Sequence, residues 1–327
     1  MKAVVIHEYG DEDVMQYQDW PDPQVGGREV LIQIKAACAS RSDTSRRAGT
    51  YGGGSGVRPL PFINGLDVAG VVVDRGPGVT EREIGDRVVG LLVMGGYAEL
   101  AACHVAGTAK IPDNISFEEA CTIPVVWMTA WFGLLHEAEL KPGETALVHA
   151  AGGGIGSAGI QIAKAHGAQV IATAGSDWKL QKAKEILGAD EVINYTTQNV
   201  VDEVSRLTDG RGVDVVLDSV GGQVYLDSIK CLADGGRLVS VGSSSGDGCP
   251  DIDTNTLTSR RVTVKNFGLP SAIQKGLVRP ELQRCMDMLG QGTLKAVIDS
   301  VMPLSEIRAA HRRIASRDIF GRVVLVP

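Results

Sequence analysis

Residues 145–164 read Thr145-Ala146-Leu147-Val148-His149-Ala150-Ala151-Gly152-Gly153-Gly154-Ile155-Gly156-Ser157-Ala158-Gly159-Ile160-Gln161-Ile162-Ala163-Lys164. A short apolar run, a cluster of glycines and an amphipathic stretch follow one another, the order of a strand, a tight turn and a helix. Ala151, Gly153 and Gly156 stand in the places of a G-x-G-x-x-G turn, with alanine for the first glycine. The first small residue permits the turn, the second lets backbone approach a pyrophosphate, and the third lets helix and sheet pack closely. Ala151, Gly153, Gly154, Ile155 and Gly156 would then face the pyrophosphate at the helix N-terminus, where free N–H groups and the positive dipole end attract anions. As a bare pattern the turn is weak, because glycine-rich turns also serve packing alone. Between a strand and a helix it points to dinucleotide binding.

Cofactor choice is read at the tip of the next strand, where an acid about 20 residues beyond the glycines would hold the ribose of NAD. Here the strand ends Ile171-Ala172-Thr173-Ala174-Gly175-Ser176, with no acid at its tip. Asp177 opens the following helix and reads as a first-turn acid. Ser176 and Lys179 can both donate to a 2′-phosphate, which favours NADPH (NADP) over NAD.

Working outward, apolar runs alternate with helical periods from Thr145 to about Leu269: strands at 146–149, 170–173, 213–217 and 237–241, and helices at 156–166, 178–187 and 224–232. Such alternation predicts an α/β domain with a doubly wound parallel sheet, a Rossmann fold. Before Asn114 the pattern is different. Short apolar runs at 3–6, 30–34, 68–73, 87–93 and 97–101 are cut by Gly and Pro turns, which reads as an all-β unit. Ser116-Phe117-Glu118-Glu119 carries a capping box and predicts a helix through the apolar stretch to Leu135. After Leu269 a helix at 280–289, a strand at 296–299, a helix at 305–314 and a strand at 322–326 are expected.

The composition suits a globular protein: 44% of the 327 residues are hydrophobic and 22% charged. The 41 glycines have no three-residue period and only 13 prolines accompany them, so collagen is excluded and many tight turns are expected. A net charge of −7 without a dense basic run lacks the footprint of a dedicated nucleic-acid binder. The six cysteines are scattered and fit neither a zinc knuckle nor a disulfide framework. No signal-peptide core and no run of 18 apolar residues is present, so no membrane association and a cytoplasmic location are expected.

Several stretches in a fixed order resemble the zinc-free quinone oxidoreductase branch of the medium-chain dehydrogenase/reductase superfamily. They are Asn64 to Gly70 (NGLDVAG), Val79 to Gly90, Thr129-Ala130-Trp131, Ala150 to Gly156, Asp214 to Gly222 (DVVLDSVGG), Gly235 to Gly242 (GGRLVSVG) and Phe320 to Leu325. The resemblance implies a GroES-like β domain (1–122 and 269–327) around a Rossmann NADP-binding domain (123–268), with the active site in the cleft. Zinc-dependent members carry a cysteine in G-V-C-H-[ST]-D and a histidine in G-H-E. Here Ser40 and Leu66 fall at those places, and one cysteine, Cys103, stands where a structural zinc would need four.

What the resemblance implies for single residues follows. Thr129 meets the nicotinamide ribose side; Ser176, Lys179 and Tyr195 form the 2′-phosphate cluster; Val241, Phe267 and Leu269 lie on segments that contact the carboxamide; Arg322 is a terminal basic residue near the cofactor. Tyr51 matches a tyrosine that lines the acceptor pocket and could donate a hydrogen bond to a carbonyl, while Ser40-Arg41 replaces an Asn-Pro pair common in this branch. The glycine-rich stretch 52–56 beside Tyr51 reads as a surface loop or a lid. The implied activity is zinc-independent transfer of hydride from NADPH to a quinone or conjugated enone. An enoyl-thioester or acrylate reductase, or a non-catalytic, crystallin-like NADPH-binding protein, are the other readings. A small electrophilic substrate and a homodimer, joined through an outer strand near Arg261 to Lys265, complete the expectation.

Overall fold

A computed structural model describes residues 1–54 and 58–327. The end of the glycine-rich stretch 52–56 therefore lies outside the described residues. The chain divides into two compact units, one made of residues 1–125 with 275–327 and the other of residues 126–274.

The second unit is built on a six-stranded sheet whose strands are all parallel. Their spatial order is Glu191–Asn194, Gln169–Ala174, Thr145–Val148, Val213–Asp218, Leu232–Ser240 and Thr263–Asn266. The first three run backwards through the sequence and the last three forwards, which is the Rossmann order 3-2-1-4-5-6. The reversal falls between Thr145–Val148 and Val213–Asp218, and ligands of such sheets bind outside the carboxyl ends of the strands at that point. Because helices cover a parallel sheet on both faces, its central strands are apolar on both sides. Leu147 and Val216 are wholly buried in the core that Tyr225 and Ile229 complete, and Val215, the strand neighbour of Val216, is wholly buried as well.

In the first unit a seven-stranded sheet has the order Ile298–Pro303, Arg322–Val326, Glu29–Ala39, Asp67–Arg75, Arg87–Leu91 and Thr108–Lys110, with Leu100–His104 pairing a second time on Glu29–Ala39. Met15–Asp19, Lys2–Ile6 and Phe62–Ile63 form a small second sheet. The chain's last strand lies antiparallel on Glu29–Ala39, Leu325 opposite Ala37, so this core is closed by both ends of the sequence.

Three departures from the sequence reading have local causes. The long helix expected after Ser116 is broken into Phe117–Ala120 and Pro124–Trp131, because Pro124 has no N–H to continue the first helix and is suited to start the next. The strand expected at 97–101 is displaced to Leu100–His104, while Tyr97 is buried in the preceding turn. Glu191–Asn194 and Val200–Leu207 complete the sheet and its helical cover where no element was expected. Among the described residues no helix is long and apolar enough to cross a membrane.

Candidate functional site

The strand Thr145–Val148 runs into His149 and Ala150, and Ala150 takes the left-handed conformation at φ +57°. This turns the chain sharply, so that Gly153 N donates to Ala150 O at 2.8 Å while Ala151 N donates to Thr173 O at 2.9 Å on the neighbouring strand. Gly153 caps the helix Gly154–Ala165 without a side chain. A Cβ on Gly156 would lie 2.1 Å from Ala150 O and 2.7 Å from His149 O. Only glycine lets the helix start this close to the strand end.

His149 supports the turn from beneath. Its Nε2 is 2.8 Å from Ser228 Oγ and its Nδ1 is 3.0 Å from Thr173 Oγ1. Ser228 Oγ already donates to Val224 O, so it accepts from His149 Nε2–H, and Nδ1 accepts from Thr173. Burial pushes the imidazole pKa down and keeps the ring neutral. Its place is structural, as a buried hydrogen-bonded histidine.

On the adjacent strand the chain leaves Gln169–Ala174 through Gly175 and Ser176. Ser176 Oγ is shielded from solvent and has no hydrogen-bond partner. The Tyr195 phenol lies across Gly175, whose Cβ would come within 2.7 Å of the hydroxyl, yet Tyr195 remains 56% exposed. Lys179 is half-buried on the first turn of the helix Asp177–Glu185. Asp177 is turned away, its Oδ1 accepting from Asn194 Nδ2 at 2.6 Å. An orphaned hydroxyl, a lysine and a phenol with no carboxylate among them fit a phosphate better than a ribose diol.

Val241 and Phe267 follow the ends of the last two strands in the spatial order, Leu232–Ser240 and Thr263–Asn266. Val241 N donates to Asp218 O and Phe267 N to Ser240 O. Phe267 and Leu269 are buried, and the Phe267 ring stacks on Phe132 at 5.9 Å between centroids. Thr129 is buried on Pro124–Trp131.

The first unit holds the remaining expected residues, Arg322 in a buried polar cluster and Tyr51 exposed. Arg322 is directed to a partner of its own: its Nη2 donates to Asp67 Oδ2 and its Nε to Cys38 Sγ at 3.0 Å, with both charged side chains almost fully buried. Its guanidinium is thus committed to an internal ion pair, a constraint the expected cofactor contact did not include. Burial pushes the Asp67 carboxyl up to about 6 against the pull of that guanidinium. Tyr51 is 37% exposed and lies under the Arg46 guanidinium, 4.0 Å from ring centre to Cζ. Arg46 Nη1 in turn donates to Ser42 Oγ at 2.8 Å.

The quinone oxidoreductase of Rattus norvegicus is 32% identical to the chain over 335 residues, covering all of this chain and 98% of that protein. The chain belongs to the zinc-free quinone oxidoreductase branch of the medium-chain dehydrogenase/reductase superfamily. Consistent with that membership, residues 26–113 match the alcohol dehydrogenase GroES-like domain and residues 154–289 the family described as zinc-binding dehydrogenase. A solved Escherichia coli quinone oxidoreductase complexed with NADPH superposes with a TM-score of 0.90 at 31% identity, each chain covered completely. A structure described as an NAD-dependent alcohol dehydrogenase superposes with a TM-score of 0.89 at 35% identity, again with complete coverage of both.

The metal in the name of the second domain family does not fit the residues of this quinone oxidoreductase-branch chain. Ser40 Oγ donates to Asp43 Oδ2 at 2.8 Å, and Leu66 presents a buried alkyl group where the zinc-dependent pattern has a histidine. Neither a bound hydroxyl nor an isobutyl group replaces a thiolate or an imidazole in a tetrahedral shell. The six cysteines are free thiols.

Proposed function

We propose that the protein is a zinc-independent, NADPH-dependent reductase acting on an electrophilic small molecule, a quinone or a conjugated enone. The observation that carries the cofactor half is the unpartnered Ser176 hydroxyl beside Lys179 and Tyr195, with Asp177 tied to Asn194. When bound, NADPH supplies hydride from C4 of its nicotinamide. In this reading the backbone of Ala151, Gly153, Gly154, Ile155 and Gly156 holds the pyrophosphate, and Ser176, Lys179 and Tyr195 hold the 2′-phosphate. Thr129, Val241, Phe267 and Leu269 shape the nicotinamide end, and Arg322 holds Asp67 and Cys38 in place. Tyr51 is the protein group proposed to donate a proton or hydrogen bond to the acceptor oxygen. Without zinc to polarise a carbonyl, an acceptor that is already electrophilic is the one these residues suit.

Steady-state oxidation of NADPH and NADH with one quinone, one enone and one enoyl-CoA thioester tests this reading. The expected outcome is turnover of the quinone or the enone with NADPH preferred and no dependence on zinc. Fastest turnover of the thioester would favour an enoyl-thioester reductase, and NADPH binding without turnover of any acceptor a crystallin-like binding protein. Tyr51→Phe is expected to lower enone turnover by about 10- to 1,000-fold at unchanged NADPH affinity. A quinone dianion can take its protons from water, so quinone turnover should fall less. Equal, near-wild-type rates on both would remove Tyr51 from the chemistry.

A further inference from the structure

Next to the unpartnered Ser176 hydroxyl, the helix Asp177–Glu185 gathers two positive charges around one aromatic ring. Trp178 is 39% exposed, and Lys179 Nζ and Lys182 Nζ each stand 5.3 Å from its ring centre. Lys182 follows Trp178 by four residues, on the same face, and side chains in a helix lean toward its N-terminus. That lean carries the Lys182 ammonium back toward the end of the helix where Ser176 sits. Two ammonium groups on one indole repel each other, a cost that falls when a dianion comes to rest beside them. The acid of this turn, Asp177, is bound to Asn194 and is not aimed at the lysines' ring.

We infer that Lys182, held in place by Trp178, is a second reader of the 2′-phosphate, so that discrimination between NADPH and NADH is shared by Lys179 and Lys182. This rests on the NADPH reading above. The indole restricts the freedom of both side chains before the phosphate arrives, so less entropy is lost on binding.

The test is a direct binding titration of the purified full-length protein with NADPH and with NADH by calorimetry, repeated at rising NaCl. Lys182→Gln is expected to weaken NADPH about 10-fold, the effect of one charge on a dianion some 6 Å away in water, and to leave NADH unchanged. The salt dependence of NADPH binding should become shallower in the same variant. Trp178→Phe, which keeps an aromatic face, should retain more of the NADPH preference than Trp178→Leu. Unaltered NADH binding shows that each variant is folded. Wild-type protein that binds NADH as tightly as NADPH would overturn the cofactor reading itself. Wild-type protein that prefers NADPH, with a Lys182→Gln variant that keeps the whole preference or loses both cofactors equally, would overturn the role of Lys182 alone.

Discussion

Gly153 and Gly156 stand in the same turn and answer to different constraints. At Gly156 an added methyl would strike Ala150 O at 2.1 Å and Ala150 C at 2.6 Å, both backbone atoms that cannot swing aside. Gly156→Ala should therefore cost about 1 to 3 kcal/mol of stability, measured by urea denaturation. At Gly153 the backbone is extended and the nearest obstacle is Ala150 O at 3.2 Å. Gly153→Ala, at the helix N-cap, should cost about 1 kcal/mol or less and weaken NADPH binding if a pyrophosphate lies against it. Unchanged NADPH affinity would take Gly153 out of the site. His311 offers a second test at this scale. Arg47 Nη1 can only donate, so His311 Nδ1, 2.9 Å away, accepts, and the ring proton sits on Nε2 facing the Tyr97 hydroxyl. The Tyr97 hydroxyl donates its own hydrogen bond to Asp43 Oδ2 at 2.8 Å. Burial pushes the His311 pKa down from 6.5 to about 4, so the fold holds this ring neutral. Below pH 6.5 the unfolded chain binds a proton that the native state refuses. The contribution is full above 6.5 and is lost as pH falls toward about 4, up to roughly 3 kcal/mol. Urea titrations between those pH values should show this slope in the wild type and a flatter one in His311→Gln.

At the scale of elements, the capping box at Ser116 works in both directions. Glu119 N donates to Ser116 Oγ at 3.1 Å and Ser116 N donates to Glu119 Oε2 at 3.0 Å. Ser116→Ala should cost about 1 kcal/mol in urea denaturation. A change near zero would mean that tertiary packing alone sets this helix start. The strands that escaped sequence reading share a trait: they lack an apolar run. Met15–Asp19 buries only Met15, and Glu191–Asn194 puts Glu191 in solvent while Ile193 is wholly buried. Leu232–Ser240 begins earlier than expected because Asp234-Gly235-Gly236, with Gly235 at φ +75°, looks like a turn yet is absorbed as an irregularity in the strand pairing.

Across the whole molecule, the six-stranded parallel sheet ends on Thr263–Asn266, with Thr263 and Asn266 exposed. An open strand edge presents unpaired backbone groups and is a template for pairing with a second copy. The proposed homodimer would use this edge, and light scattering at micromolar concentration should return a mass of two chains. A monomer would leave the edge protected by its shortness alone.

The Rossmann unit, its glycine turn, the Ser116 cap and the absence of thiolate and imidazole at Ser40 and Leu66 were legible in the sequence by itself. Each is written within a few neighbouring residues, where strand and helix periods and turn chemistry act locally. Which strands neighbour one another, and which distant side chains meet, depended on the tertiary structure. Arg322 reaches Asp67 across 255 residues and Arg47 reaches His311 across 264. Nothing local marks either pair, because a buried charge or imidazole takes whatever partner the folded topology delivers to it. The same holds for the covered Ser176 hydroxyl and for the Tyr195 phenol laid across Gly175. Chain neighbours set the kind of residue available at the strand tip; the packing of the parallel sheet set what stands beside it.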